Sequence, residues 1–167
     1  GMRRIASPSS NGSFHMTQGF ILNNQLTDFS FVPVAAGSPV ANRVEGGKRP
    51  RSSMAPVIVY DRAGRVHLVA GSAGGSAIIN HVAKTLIAIL DWRLDVQQAV
   101  ALPNFGSRNG PTELERDTPS AGLAPRLAAL GHEVRIVDQT SGVHAILRTP
   151  RGWLGAADPR REGTARG

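Results

Sequence analysis

The stretch Val66-His67-Leu68-Val69-Ala70-Gly71-Ser72-Ala73-Gly74-Gly75-Ser76, followed without a break by Ala77 to Leu90, decides the fold. Val66 to Ala70 is a short β-favouring run. Val57-Ile58-Val59-Tyr60 precedes it across Asp61-Arg62-Ala63-Gly64, a turn that Asp opens and Gly closes, so the two runs are expected to form a β-hairpin. Past the glycines, apolar residues at 78, 79, 82, 86, 89 and 90 fit helical spacing. A strand is therefore expected to run through a glycine turn directly into a helix, with the Leu and Ile positions as core.

Further along, Asp95 is placed to cap a second helix through Ala101 that Pro103 ends, and a third helix is expected around Ala124 to Leu130, stopping at Gly131. Strands are expected around Val134 to Val137, Ala145 to Leu147 and Trp153 to Ala156, before a polar tail from Asp158 in which Arg160 and Arg161 read as solvated, with Asp158-Pro159-Arg160 offering the alternative of a fixed turn with an ion pair. Towards the N-terminus, residues 1–13 are rich in Ser, Pro, Gly and Arg and read as a flexible arm. Gly19 to Leu22 reads as a buried strand, and Thr27 to Pro50 as a long loop of the kind that serves as a lid or binding segment. Residues 14–167 are expected to form a single domain of α+β class, with antiparallel hairpins and helices grouped in the middle.

Composition narrows the function. The 167 residues include no Cys, which excludes disulfide frameworks, thiolate metal sites and a thiol nucleophile. The net charge of +7 invites a nucleic-acid reading. Its cations gather only at Arg43, Lys48, Arg49 and Arg51 and at Arg160, Arg161 and Arg166, and aromatics are 5%, so no nucleic-acid partner is expected. Ile78 to Leu90 is interrupted by Asn80, His81, Lys84 and Thr85, so no membrane span is expected. Gly1-Met2-Arg3-Arg4 has no apolar core behind it, and no signal peptide is expected there. The five His residues lack ligand spacing and read as surface or satisfied strand residues, so no metal is expected.

Three segments can carry chemistry, each with an alternative reading. The backbone N–H groups of a glycine turn entering a helix can hold an anion or a developing oxyanion at Gly74 and Gly75; alternatively the turn is structural, with Ser76 as helix cap. Ser52 and Ser53 can donate to a carboxylate or be solvated turn residues. Asn23, Asn24, Gln25 and Asp28 suit an ammonium group or satisfy local backbone.

Gly19 to Ser30, Lys48 to Pro56, Gly71 to Ser76 and Asp158-Pro159-Arg160, in that order and spacing, resemble the small subunit of the γ-glutamyltransferase family over roughly residues 14–164. The resemblance implies an N-terminal-nucleophile hydrolase αββα sandwich with antiparallel sheets, matured by self-cleavage of a precursor. It implies transfer or hydrolysis of the γ-glutamyl group of glutathione and related amides, with an amino acid or water as acceptor and no cofactor. It places Gln25 and Asp28 on the glutamyl ammonium, Ser52 and Ser53 on its carboxylate, and the Gly74 and Gly75 N–H groups in the oxyanion hole. It also implies a large subunit from the same precursor, and family members are often periplasmic or secreted. The family's N-terminal Thr nucleophile has no counterpart in this sequence, so the chain is expected to be inactive alone and to self-associate through uncovered sheet. The alternative is a standalone binding module that uses the same pocket.

Overall fold

The computed structural model describes residues 16–17, 20–21 and 25–166. The arm expected at 1–13, and Gly19 and Leu22 of the first expected strand, lie outside the described residues. The chain divides into two units, 1–52 and 53–167.

In the first unit, β1 (Met16–Thr17) pairs antiparallel with β2 (Phe20–Ile21), and a single 3₁₀ turn covers Gln25–Asp28. The expected long loop holds a two-residue hairpin, β3 (Val34–Ala35) with β4 (Ser38–Pro39), turned by Ala36 and Gly37. Asn42 ties the rest together. Its Nδ2 donates to the Asp28 carbonyl at 2.7 Å, its Oδ1 accepts from Arg51 N–H at 2.9 Å, and its carbonyl accepts from Ser30 N–H at 2.8 Å. Part of the basic knot is neutralised locally, because Glu45 lies 2.6 Å from Arg43 and 2.7 Å from Lys48.

The second unit is built on an antiparallel sheet whose strands lie side by side in the order 152–157, 144–149, 66–71 and 57–60. The expected hairpin is present as β5 (Val57–Tyr60) and β6 (Val66–Gly71), with a bulge at Val59/Tyr60; β10 (His144–Thr149) and β11 (Gly152–Ala157) complete the sheet. Alternation along β6 puts Leu68 and Ala70 on a buried face and Val69 on the opposite one. Ala70, Ala145 and Ala156 stand side by side across three strands on the buried face, flat enough for a helix to lie close.

That helix is α2 (Val96–Ala101), which packs on β10 and β11 through Val96, Ala99 and Val100, all fully buried. Asp95 caps it as expected, its Oδ1 accepting from Gln97 N–H at 2.8 Å and Gln98 N–H at 3.3 Å. The Gln97 amide meets the backbone of Ala157 in both directions, donating to its carbonyl at 3.0 Å and accepting from its N–H at 3.2 Å. α1 (Ile78–Leu90) follows the glycine turn and packs against β6 and α2. Its buried face differs from the one expected: Ile79 is 55% exposed, while His81, Lys84 and Thr85 are buried beside Val82, Ala88 and Ile89.

A second, three-stranded sheet joins β7 (Phe105–Gly106), β8 (Thr112–Glu115) and β9 (Val134–Val137). β8 and β9 run parallel, a departure from the all-antiparallel expectation, because a 3₁₀ turn at Pro119–Leu123 and α3 (Ala124–Ala129) carry the chain over between them.

The expectation of a solvated tail fails at Asp158 and Arg160. Asp158 is fully buried, and the Arg160 side chain is 15% exposed. The Arg160 guanidinium grips Glu115 through two bonds, at 2.5 and 2.8 Å, and reaches Asp158 Oδ1 at 3.1 Å. Asp158 Oδ2 accepts from the Ser141 hydroxyl and from Val143 N–H, and Asn104 bridges Ser141 to the Lys84 ammonium. Burial pushes the Asp158 carboxyl upward, but donation from Ser141, Arg160 and Val143 outweighs it and holds the group below its usual range. Burial, with the Arg160 charge adding to it, lowers the Lys84 ammonium to about 8.

The helix-free face of the larger sheet exposes Ile58, Val69 and Ile146 in register, with Trp153 exposed two residues from Gly155, the Ile146 partner on β11. This chain alone is expected to self-associate through that face, and Ile146→Lys should shift its sedimentation towards monomer. Replacing Asp158 with Ala leaves Arg160 short of a partner in a dry site and should cost about 3–5 kcal/mol in denaturant unfolding. The Lys84 ammonium is held below the 10.5 of a solvated lysine. Below pH 8 both folded and unfolded chains carry its proton; between pH 8 and 10.5 only the unfolded chain does, so stability rises with pH across that window. Against Lys84→Met, the native chain should gain up to about 3 kcal/mol over that range.

Candidate functional site

The glycine turn is the best-formed element of the candidate site. After β6 the backbone passes Gly74 at φ 136° and Gly75 at φ 57°, then one 3₁₀ turn at Gly75–Ala77 leads into α1. Only glycine takes the first of these conformations without strain. A Cβ on Gly74 would also meet the His81 ring at 2.8 Å. Among the described residues neither Gly74 N–H nor Gly75 N–H makes a hydrogen bond, so two donors stand free where the helix dipole adds positive potential. The alternative with Ser76 as a cap does not hold, because Ala77 occupies the cap position and no side chain caps the helix. The Ser76 hydroxyl instead accepts from Arg108.

Beside the turn lies a cavity of about 270 Å³, bordered by Gly74, Ser76, His81, Arg108, Glu113 and Gln139 among others. Arg108 also approaches Glu113 at 3.3 Å. His81, read from sequence as a surface or satisfied residue, is 2% exposed: Nε2 faces Gln139 Oε1 at 3.3 Å and Nδ1 has no partner at hydrogen-bonding geometry. Burial lowers its pKa below the usual 6.5, against smaller upward pulls from Gln139 and the Ala73 carbonyl. Arg108, Glu113 and His81 escaped the sequence reading, because their neighbourhood forms only when β7, β8 and the 137–140 segment meet the start of α1.

The remaining candidates fall as follows. Gln25 and Asp28 are exposed and open and close one 3₁₀ turn in the first unit, which brings both side chains onto a single turn of backbone. Ser52 ends the first unit and is exposed; Ser53 begins the second and is half-buried. Among the described residues no group of three or more His, Asp and Glu is placed to hold a metal ion. No helix among them is long and apolar enough to cross a membrane.

Comparison with known proteins identifies the family and the fold. The family model described as Gamma-glutamyltranspeptidase matches residues 8–167. The glutathione hydrolase proenzyme of Escherichia coli (strain K12) is 37% identical over 154 residues, covering 85% of this chain and 26% of the relative. The acylase ACY 1 proenzyme of Pseudomonas sp. (strain SE83) is 34% identical over 148 residues, covering 87% and 25%. The chain thus spans about a quarter of the length of the curated relatives it matches. Among solved structures, the γ-glutamyltranspeptidase from Pseudomonas nitroreducens complexed with L-DON superposes with a TM-score of 0.81 at 28% identity, covering all of this chain and 91% of that one. The fold is therefore that of the N-terminal-nucleophile hydrolases, and the chain belongs to the γ-glutamyltranspeptidase family.

Proposed function

We propose that this chain is the C-terminal, small-subunit portion of an enzyme that removes the γ-glutamyl group from glutathione or a related γ-glutamyl amide and passes it to water or an amino acid. The observation that carries the reading is the pair of free N–H groups at Gly74 and Gly75. Acyl transfer from an amide passes through a tetrahedral intermediate. When a nucleophilic hydroxyl bonds to the carbonyl carbon of the γ-amide, the C=O π electron pair moves onto oxygen, and preorganised donors at that oxygen are worth about 3 to 4 kcal/mol each.

The other roles follow from the chemistry of a glutamyl group. Its α-ammonium needs an anion, which Asp28 supplies with Gln25 alongside, and its α-carboxylate needs donors, which Ser52 and Ser53 supply. The hydroxyl nucleophile and its amine base belong to the N-terminal Thr that the family resemblance implies, and no residue of this chain matches that Thr. The partner is the large subunit of the same precursor. Alone, the chain holds part of a site and no attacking group.

Incubated with a chromogenic γ-glutamyl anilide, the isolated chain should release no aniline; turnover would overturn the reading. Calorimetry with glutamate should show no binding by the isolated chain, and saturable binding would favour a standalone binding module instead. In the complete enzyme, Asp28→Asn should raise the KM for the γ-glutamyl donor by about 10- to 100-fold with a smaller change in kcat, as expected for loss of a charge-assisted contact worth about 1.5–3 kcal/mol.

A further inference from the structure

The oxyanion donors are useful only if they point the right way, and glycine at φ 136° does not hold itself there. The Gly74 N–H belongs to the same planar peptide as the Ala73 carbonyl, so whatever fixes that carbonyl fixes the direction of the N–H. The Ser72 hydroxyl bonds it directly, donating to the Ala73 carbonyl at 2.6 Å, and the His81 ring lies near the same carbonyl. The Ser72 oxygen in turn accepts from Gly142 N–H at 3.3 Å, and Ala73 N–H donates to the Gly142 carbonyl at 3.3 Å. The segment that makes these contacts is itself pinned, since Arg161 donates to the carbonyls of Thr140 and Ser141, both at 3.0 Å, and the Ser141 side chain is held by Asp158 and Asn104. The buried His81 ring also stands against Gly74, close enough that a Cβ there would meet it at 2.8 Å.

We infer that Ser72 is a positioning residue for the reaction, its hydroxyl holding the Ala73–Gly74 peptide in the plane that aims the Gly74 N–H at the developing oxyanion. This rests on the function proposed above. Ser72 touches no substrate; it acts through the peptide it bonds, so its contribution appears as charge builds on the substrate oxygen and not when the glutamyl group first binds.

The test uses the complete enzyme with Ser72→Ala, Ser72→Cys and Ser72→Thr, assayed with a γ-glutamyl anilide and with a γ-boronate analogue whose tetrahedral adduct mimics the anion. Ser72→Ala should lower kcat by about tenfold, a fraction of the 10²–10³ lost when an oxyanion donor is removed outright, with KM changed less than about twofold. Affinity for the boronate should fall in step with kcat/KM. Ser72→Thr, which keeps the hydroxyl, should recover most of the rate, and Ser72→Cys, a weaker donor of similar size, should fall between. Full turnover by Ser72→Ala would overturn the inference and leave the proposed function standing. So would a loss not restored by Thr, or one accompanied by an equal rise in KM and a lower thermal midpoint. Absence of turnover in the unsubstituted complete enzyme would overturn the proposed function and this inference with it.

Discussion

The guanidinium of Arg160, closed on Glu115 by two bonds and on Asp158 by a third, is the interaction on which most of the second unit depends. It fastens the segment after the last strand to β8 of the smaller sheet, and its Nη2 also donates to the Leu102 carbonyl at the end of α2 at 3.0 Å. Asn104 N–H meets the same Glu115 carboxylate, and its side chain carries the connection on to Lys84 and Ser141. Two carboxylates, a guanidinium and an ammonium share one largely dry region. Such a cluster is tolerated because its members satisfy one another, and removing any single member strands a charge.

The local features of the fold were legible in the sequence, and the long-range ones were not. Asp61 to Gly64 between two β-branched runs, Asp95 before α2 and Gly131 after α3 each act within a few residues, and each does what its chemistry suggests. The buried face of α1 was misjudged because periodicity counts apolar residues. Lys84 and His81 are buried there by partners 18 to 58 positions away, and no window of sequence contains those partners. In Asp158-Pro159-Arg160 the local ion pair is a legible option and does form, yet the burial of both charges is not legible. Burial of Arg160 follows from Glu115, 45 residues earlier, in a strand whose Thr-Glu-Leu-Glu sequence gives little sign of being a strand.

The candidate site divides the same way. The glycine turn declared itself because two adjacent glycines between a strand and a helix have few other uses. Ser72, one residue before Ala73, carries no separate signal in the sequence, and its contacts emerge only where Gly142 comes alongside. A hydroxyl that bonds its neighbour's carbonyl leaves no pattern in sequence; the pattern lies in what the other half of that peptide is free to do.

The amide of Gln97 against Ala157 bears on how the larger sheet can be extended. At the end of β11 that side chain already occupies the hydrogen-bonding positions a neighbouring strand would use. At the opposite margin, β5 pairs among the described residues only with β6. A strand approaching the Ala157 end of β11 would have to displace that side chain. A helix residue with no part in the chemistry thereby closes one end of the sheet's margin to strand pairing.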